Sequence, residues 1–202
     1  MKSSYYPVKR SCLILICLTI LISGTYAQEN KKIDDRRHKI GFISGFGGQY
    51  GLNVSYYYHI YFLQAQYYYS LVRKPAWNME ILLQPQYNIT RYRPIDNIPE
   101  ISNGYEFGLN AAILVRKNMQ EDHLSMYIFL GTGPHFVSGT PERQASGFIF
   151  SDNLFVGLNI QLIDNLYLDI RPGFRHISNL GLQDPNWGVH SFVLSGGLLF
   201  IL

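Results

Sequence analysis

Cysteine is nearly missing from this sequence of 202 residues. The only two cysteines, Cys12 and Cys17, lie close to the N-terminus, and no cysteine follows them. A chain without cysteines can form neither disulfides nor a cysteine-ligated zinc site. The main part of the sequence therefore excludes a disulfide scaffold and a thiol-dependent metal site, and its fold must be stabilised by other means.

Long hydrophobic runs are missing as well. The longest apolar stretch, residues 12–22, is interrupted by Thr19 and is shorter than the roughly 20 residues that a membrane-spanning helix needs. Basic residues precede this stretch, and the small-x-small sequence Thr25-Tyr26-Ala27 follows it. These features predict that residues 1–27 are a cleaved secretory signal peptide rather than a membrane anchor.

Charge is scarce and balanced. Charged residues make up 15% of the sequence, and removal of residues 1–27 leaves 14 basic residues (17 minus 3) against 14 acidic ones. A neutral chain gives no reason to expect nucleic acid as a partner. The whole sequence is instead rich in tyrosine (16), phenylalanine (12) and glycine (18). An exported chain that is apolar without apolar runs predicts a transmembrane β-barrel.

Apolar and polar residues alternate along several segments. In residues 79–89 the odd positions are apolar and four of the five even positions are polar, and residues 105–115 and 154–161 show the same period of two. This period is typical of a strand with one face in lipid and the other in a polar lumen. A soluble β-sandwich would also alternate, but the signal peptide and the aromatic residues favour the barrel.

The fold predicted from these patterns is all-β, an eight-stranded antiparallel transmembrane barrel over residues 39–202, preceded by a periplasmic lead-in at 28–38. With a periplasmic N-terminus, the connections near 59–60, 92–103, 138–146 and 178–187 would face outward. A shift of the apolar phase after Tyr58 is interpreted as the first turn. The predicted strands are 40–58, 61–72, 77–91, 104–116, 124–137, 147–161, 164–177 and 188–202.

Two polar residues interrupt the apolar face of the seventh predicted strand. His176 and Ser178 continue the lipid-facing side at the outer end of that strand, and their spacing of two places them side by side. His190 shares the parity of the outward face of the last strand, which pairs with the seventh. The three side chains should therefore cluster at the outer boundary of the membrane, where polar groups are tolerated.

The stretch that contains these residues resembles a known family. The segment HISNLGLQDPNWG (176–188) is similar to the C-terminal signature of the outer-membrane lipid A 3-O-deacylases, the PagL family. A second segment, ERQASGFIFSDN (142–153), resembles the part of that family that runs into the sixth strand. The resemblance implies an eight-stranded barrel in the outer membrane of a Gram-negative bacterium, with its active site facing the outer leaflet.

The resemblance also implies roles for individual residues. It makes Ser178 the nucleophile and His176 its general base, and it assigns the support of the oxyanion to Asn179 and Asn186. The implied activity is that of a carboxylic ester hydrolase that removes an ester-linked 3-hydroxyacyl chain from lipid A. The implied partner is lipid A, or the lipopolysaccharide that contains it, with no cofactor and no metal, and homodimerisation is left open.

His190 departs from the pattern of that family. The family has an acidic residue at the aligned position on the last strand, and an imidazole cannot supply the negative charge that stabilises an imidazolium. Three alternatives remain: a His-His-Ser arrangement, a carboxylate borrowed from Asp184 in the adjacent loop, or a relative that has lost catalysis. The last alternative corresponds to a non-catalytic small barrel with a structural or lipid-binding role.

Overall fold

A computed structural model describes residues 37–96, 98–119 and 123–202. The predicted signal peptide at 1–27 and nearly all of the predicted lead-in at 28–38 lie outside the described residues. Every regular element in the described part is a β-strand. No helix in these ranges is long and apolar enough to cross a membrane.

The strands form one closed antiparallel sheet. Neighbours in sequence pair with each other, and the first strand also pairs with the last, which closes the ring. Eight barrel positions are filled by nine segments, because β5 and β6 follow one another between the same two neighbours, β4 and β7. The strands are β1 (His38–Gly48), β2 (Tyr58–Arg73), β3 (Trp77–Tyr92), β4 (Ser102–Met119), β5 (Leu124–Thr132), β6 (Pro134–Val137), β7 (Gly147–Ile163), β8 (Leu166–Ser178) and β9 (Val189–Ile201).

Gly133 separates β5 from β6. A Cβ atom at this position would collide with the backbone carbonyl of Leu109 on β4, so only glycine permits this close approach of the two backbones. The predicted strand 124–137 is therefore confirmed as one barrel position that is interrupted at a single residue.

The predicted alternation is confirmed throughout the barrel. On β3, buried residues alternate with exposed ones from Glu80 to Arg91. Its exposed side chains include Ile81, Leu83, Tyr87 and Ile89. The outward face of the sheet is thus apolar and the inward face largely polar, as a barrel surrounded by lipid requires.

Charged side chains fill the interior. Glu80 binds Arg116 (3.0 Å) and Lys39, while Glu106 binds Arg175 and His135. Because each carboxylate is fully buried and faces a buried cation, the interior is a packed polar core, and the described residues leave little room for an aqueous channel.

The prediction for the first two strands was wrong. β1 ends at Gly48 instead of residue 58, and β2 begins at Tyr58, so the first connection on this side is 49–57 and not 59–60. Gln49 accounts for the difference, because its backbone carbonyl accepts a bond from the Leu52 N–H (3.0 Å) and its side-chain carbonyl accepts one from the Tyr58 N–H (2.8 Å). These bonds close a loop whose apolar residues continue the period of two without belonging to a strand.

With this correction, all four long connections lie at one end of the barrel. They are residues 49–57, 93–101, 138–146 and 179–188, and this end is called the loop end below. The connections at the other end are short, which is the asymmetry of outer-membrane barrels.

Candidate active site

The candidate residues lie on the outside of β8, at the loop end. Odd-numbered residues such as Arg171, Arg175 and Ile177 are buried in the barrel, so the even-numbered His176 and Ser178 face outward. Both side chains are half-buried. The structure thus places His176 and Ser178 on the face and at the end that strand parity predicts.

His176 and His190 are direct neighbours across the β8–β9 ladder. Their Nδ1 atoms are 3.0 Å apart and their rings are stacked, with centroids 4.6 Å apart. A hydrogen bond between two Nδ1 atoms needs one donor and one acceptor, so at least one ring must be neutral. When a neutral His176 donates from Nδ1, its Nε2 atom carries no proton and is free to act as a base.

Ser178 is the last residue of β8 and lies two positions beyond His176 on the same face. Its hydroxyl group has no hydrogen-bond partner among the described residues. This hydroxyl group forms no hydrogen bond with His176 in the structure, so a nucleophilic role requires the two side chains to approach each other when substrate binds.

The loop that follows β8 brings Asn179 and Asn186 together. The side-chain oxygen of Asn186 accepts a bond from the Asn179 N–H (2.8 Å). The side chain of Asn179 is occupied within the loop, donating to the Gln183 carbonyl (2.6 Å) and accepting from the Gly181 N–H (3.0 Å). The Asn179 side chain therefore shapes the loop, whereas the side-chain nitrogen of Asn186 donates to no described residue.

A second loop supports the first. Residues 138–146 run beside 179–188 and exchange backbone bonds with it, from Ala145 to Pro185 (2.7 Å) and from Trp187 to Arg143 (2.9 Å). The buried side chain of Gln144 also accepts a bond from the Gly188 N–H (3.1 Å). The sequence pattern contains no signal for this role of Gln144, because the contact depends on the packing of two loops that are distant in sequence.

The loop formed by residues 49–57 contacts the site from the other side. The backbone N–H of His190 donates to the hydroxyl group of the buried Tyr56 (2.8 Å), and the Gln49 side chain donates to the His190 carbonyl (2.9 Å). The Arg143 guanidinium lies 4.5 Å from the centre of the Tyr56 ring. Because residues 49–57 were predicted to be strand, sequence reasoning missed this support.

Asp184 does not contact the histidines. It is exposed in the loop, and no hydrogen bond or ion pair joins it to any described residue of the site. The position of its side chain gives no support to a carboxylate borrowed from this loop.

Gly188 packs directly against the imidazole of His176. A Cβ atom at Gly188 would overlap His176 Cε1 and lie 3.1 Å from Nε2, and the φ angle of +69° favours glycine. The close approach of this backbone holds the ring in place beneath the loop.

Replacing Gly188 by alanine should therefore displace the His176 ring. Because a misplacement of about 1 Å in a catalytic group can cost about 10²-fold in rate, we expect a loss of that order in ester hydrolysis, measured on purified lipid A. Gly181→Ala is the matched control, since Gly181 also has a positive φ (+80°) but open space around its Cβ position. Equal losses in the two variants would mean that backbone strain, and not contact with the ring, causes the effect.

An apolar groove extends from the site along the outside of the barrel. Phe174 and Phe192 lie two residues from His176 and His190 towards the barrel middle, and the groove continues across β7, β8, β9 and β1. Its other outward-facing lining residues include Leu154, Leu194 and Phe46.

Comparison with known proteins identifies the family and the fold. The sequence matches the family described as Lipid A 3-O-deacylase (PagL) over residues 50–198, and no curated protein matches it. Among solved structures, it is similar to the crystal structure of the outer membrane enzyme PagL, with 17% identity and a TM-score of 0.59 over 79% of this chain and 97% of that one. It is also similar to the crystal structure of Neisserial surface protein A (NspA), with 12% identity and a TM-score of 0.47 over 85% of this chain and 100% of that one.

The two kinds of match show different things. At 17% identity, the structural likeness to PagL shows a shared barrel fold. The sequence match extends over most of the chain and includes the candidate residues 176–190. With its apolar outward face, such a barrel resides in the outer membrane of a Gram-negative bacterium. The chain belongs to the lipid A 3-O-deacylase (PagL) family.

Proposed function

We propose that this outer-membrane protein is a serine esterase that hydrolyses an ester-linked 3-hydroxyacyl chain of lipid A. The observation that carries the proposal is the position of His176 and Ser178 on the lipid-facing surface of a barrel whose sequence matches the lipid A deacylase family. A site on this surface suits a substrate that is itself a membrane lipid. With the loop end outward, the site meets the outer leaflet.

The first half of the reaction acylates Ser178. His176 Nε2 accepts the proton of the Ser178 hydroxyl as Oγ attacks the ester carbonyl carbon, and the carbonyl oxygen becomes an oxyanion. Collapse of this tetrahedral intermediate breaks the bond to the sugar oxygen, which takes the proton from His176. The deacylated sugar leaves with a free hydroxyl group.

The second half releases the fatty acid. His176 removes a proton from water as the water oxygen attacks the acyl-Ser178 carbonyl, and collapse returns the proton to Ser178 Oγ. The net reaction consumes one water and produces one 3-hydroxy fatty acid and one alcohol.

The oxyanion needs a hydrogen-bond donor. Asn186 is the better candidate of the two predicted asparagines, because the Asn179 side chain already donates to the Gln183 carbonyl. Asn179 would then act by holding Asn186, whose side-chain oxygen accepts from the Asn179 N–H.

Substrate would enter sideways from the membrane. The groove lined by Phe174, Phe192 and Leu194 is apolar and begins beside the histidines, so it can hold an acyl chain while the ester reaches Ser178. Burial of such a chain contributes roughly 0.8 kcal/mol for each CH₂ group removed from water, and less where lipid already surrounds it.

The proposal is tested by mass spectrometry of lipid A from a Gram-negative outer membrane in which the protein is produced. The expected result is a new lipid A species that lacks one hydroxyacyl chain, together with the free 3-hydroxy fatty acid. The matched control is the same strain without the protein. Unchanged lipid A in the presence of folded protein, also after extraction into detergent with added lipid A, would contradict the proposal.

A non-catalytic lipid-binding barrel is the second candidate, and His190 at the acid position is the observation that favours it. This function predicts normal folding and membrane insertion with no hydrolysis of any lipid A. The same mass spectra separate it from the first candidate.

A further inference from the structure

A carboxylate lies on the other side of His176 from His190. Asp152 on β7 is the direct cross-strand partner of His176, just as His190 is its partner on β9. Even-numbered residues of β7 such as Leu154 and Val156 face outward, and so does the half-buried side chain of Asp152. Asp152, His176 and His190 therefore form one row across three strands on the lipid-facing surface.

The carboxylate of Asp152 is oriented by its neighbour. The Thr132 hydroxyl group donates a hydrogen bond to Asp152 Oδ1 (2.6 Å), and Oδ2 has no hydrogen-bond partner among the described residues. Direct cross-strand partners have Cβ atoms about 4.5–5.5 Å apart, so the negative charge lies within electrostatic reach of the His176 ring.

The other charges around His176 are unfavourable to its protonated form. Arg175 and Arg143 repel a positive charge on this ring, whereas Asp152 attracts it. His190 can accept the Nδ1 hydrogen bond and set the tautomer of His176, but it carries no negative charge. In a Ser-His-Asp triad, one acid both fixes the tautomer of the histidine and stabilises its protonated form. Here the first task falls to His190 on β9 and the second to Asp152 on β7.

We propose that Asp152 supplies the negative charge that stabilises protonated His176 during hydrolysis, while His190 fixes its tautomer. Asp152 is a positioning residue in this scheme, because it acts through His176 and does not touch the substrate. When Ser178 Oγ attacks, its proton moves to His176 Nε2, and the resulting imidazolium lies between the Asp152 carboxylate and the neutral His190. This inference rests on the proposed function and names the counter-ion of the same site.

The test replaces Asp152 by asparagine, which preserves shape and removes the charge. We expect kcat for lipid A hydrolysis to fall by about 10²-fold, the factor that a charge pair about 5 Å apart supplies at an effective dielectric constant near 20, with KM nearly unchanged. Asp184→Asn removes a carboxylate from the adjacent loop 179–188, and Asp164→Asn removes one at the opposite end of the barrel. Both of these control variants should keep full activity.

A second replacement distinguishes a charge effect from a structural one. Glutamate at position 190 would place a carboxylate on the other flank of His176, so His190→Glu should restore most of the activity that Asp152→Asn removes. In the His190→Glu background, Asp152→Asn should then lower kcat by less than about threefold. Independent structural damage would not produce this coupling between the two positions.

A covalent probe separates this inference from the choice of substrate. Diisopropyl fluorophosphate reacts with an activated serine when Oγ displaces fluoride from phosphorus and the hydroxyl proton passes to the histidine. We expect phosphorylation of Ser178, measured by intact-protein mass, and a rate in Asp152→Asn that is lower by the same factor as kcat.

The outcomes lead to different conclusions. Phosphorylation of Ser178 without any lipid A hydrolysis would overturn the proposed substrate, and the rate in Asp152→Asn would still decide the role of Asp152. An unchanged kcat and phosphorylation rate in Asp152→Asn, a loss in Asp184→Asn, or a wild-type protein whose Ser178 does not react would each overturn the assignment of Asp152.

Discussion

Replacing Ser178 by alanine is expected to abolish release of 3-hydroxy fatty acid from lipid A, with a loss of roughly 10⁴- to 10⁶-fold. Without Oγ no acyl-enzyme forms, and His176 has no hydroxyl proton to accept. The barrel should be unaffected, because the Ser178 side chain faces outward and its hydroxyl bonds to no described residue. The measurement is the rate of fatty acid release by purified protein in detergent, with folding checked by the heat-dependent mobility of the barrel on gels.

Ser44→Ala is the matched control for this variant. Ser44 also faces outward, on β1, and it has no part in the site. It should retain wild-type activity. If Ser178→Ala kept more than about a hundredth of the rate, a water molecule rather than Ser178 would be the nucleophile, and the serine esterase mechanism would be wrong.

Replacing Glu106 by glutamine is expected to destabilise the barrel by about 3–5 kcal/mol, the usual cost of leaving a buried charge without its partner. Glu106 is fully buried and accepts bonds from Arg175 and His135, from the Tyr58 hydroxyl group (3.2 Å) and from the Asn88 amide (3.3 Å). Glutamine keeps the shape but leaves the Arg175 guanidinium in the interior without a negative charge. The measurement is the free energy of unfolding from urea titrations in lipid or detergent.

Glu100→Gln is the control for the Glu106 variant, since Glu100 is exposed in the loop 93–101 and should give the wild-type urea midpoint. Arg175 precedes His176 in β8, so the same variant should also loosen the strand that carries the site. A stability equal to wild type would mean that water or a change of protonation compensates the charge within the barrel.

Local alternation explains why the barrel could be predicted. Each strand has a period of two because its residues alternate between lipid and a polar interior, and this signal is complete within one strand such as β3. The same signal failed at residues 49–57, where Val54 and Tyr56 keep the period. The Tyr56 hydroxyl group accepts a bond from the His190 N–H, a partner that is distant in sequence, and the Gln49 side chain accepts one from the Tyr58 N–H.

The candidate site could be predicted in part for the same reason. His176 and Ser178 are two residues apart on one strand, so parity alone places them on one face. His190 followed from the antiparallel pairing of consecutive strands, which joins β8 to β9 across the loop 179–188. Asp152 could not be found in this way, because its position opposite His176 depends on the register between β7 and β8, and several registers fit an alternating pattern.

The sequence by itself determined the class of this protein, because alternating apolar and polar residues from residue 39 onward predict a membrane barrel with a His-x-Ser motif on its lipid-facing side. Only the tertiary structure decided what surrounds that motif. The registers of β7 with β8 and of β8 with β9 set Asp152 and His190 on opposite sides of His176, and contacts between loops place Gly188 against its ring. Which side a residue faces is a property of one strand, whereas which residues become neighbours depends on the register between paired strands, which the alternation within each strand does not fix.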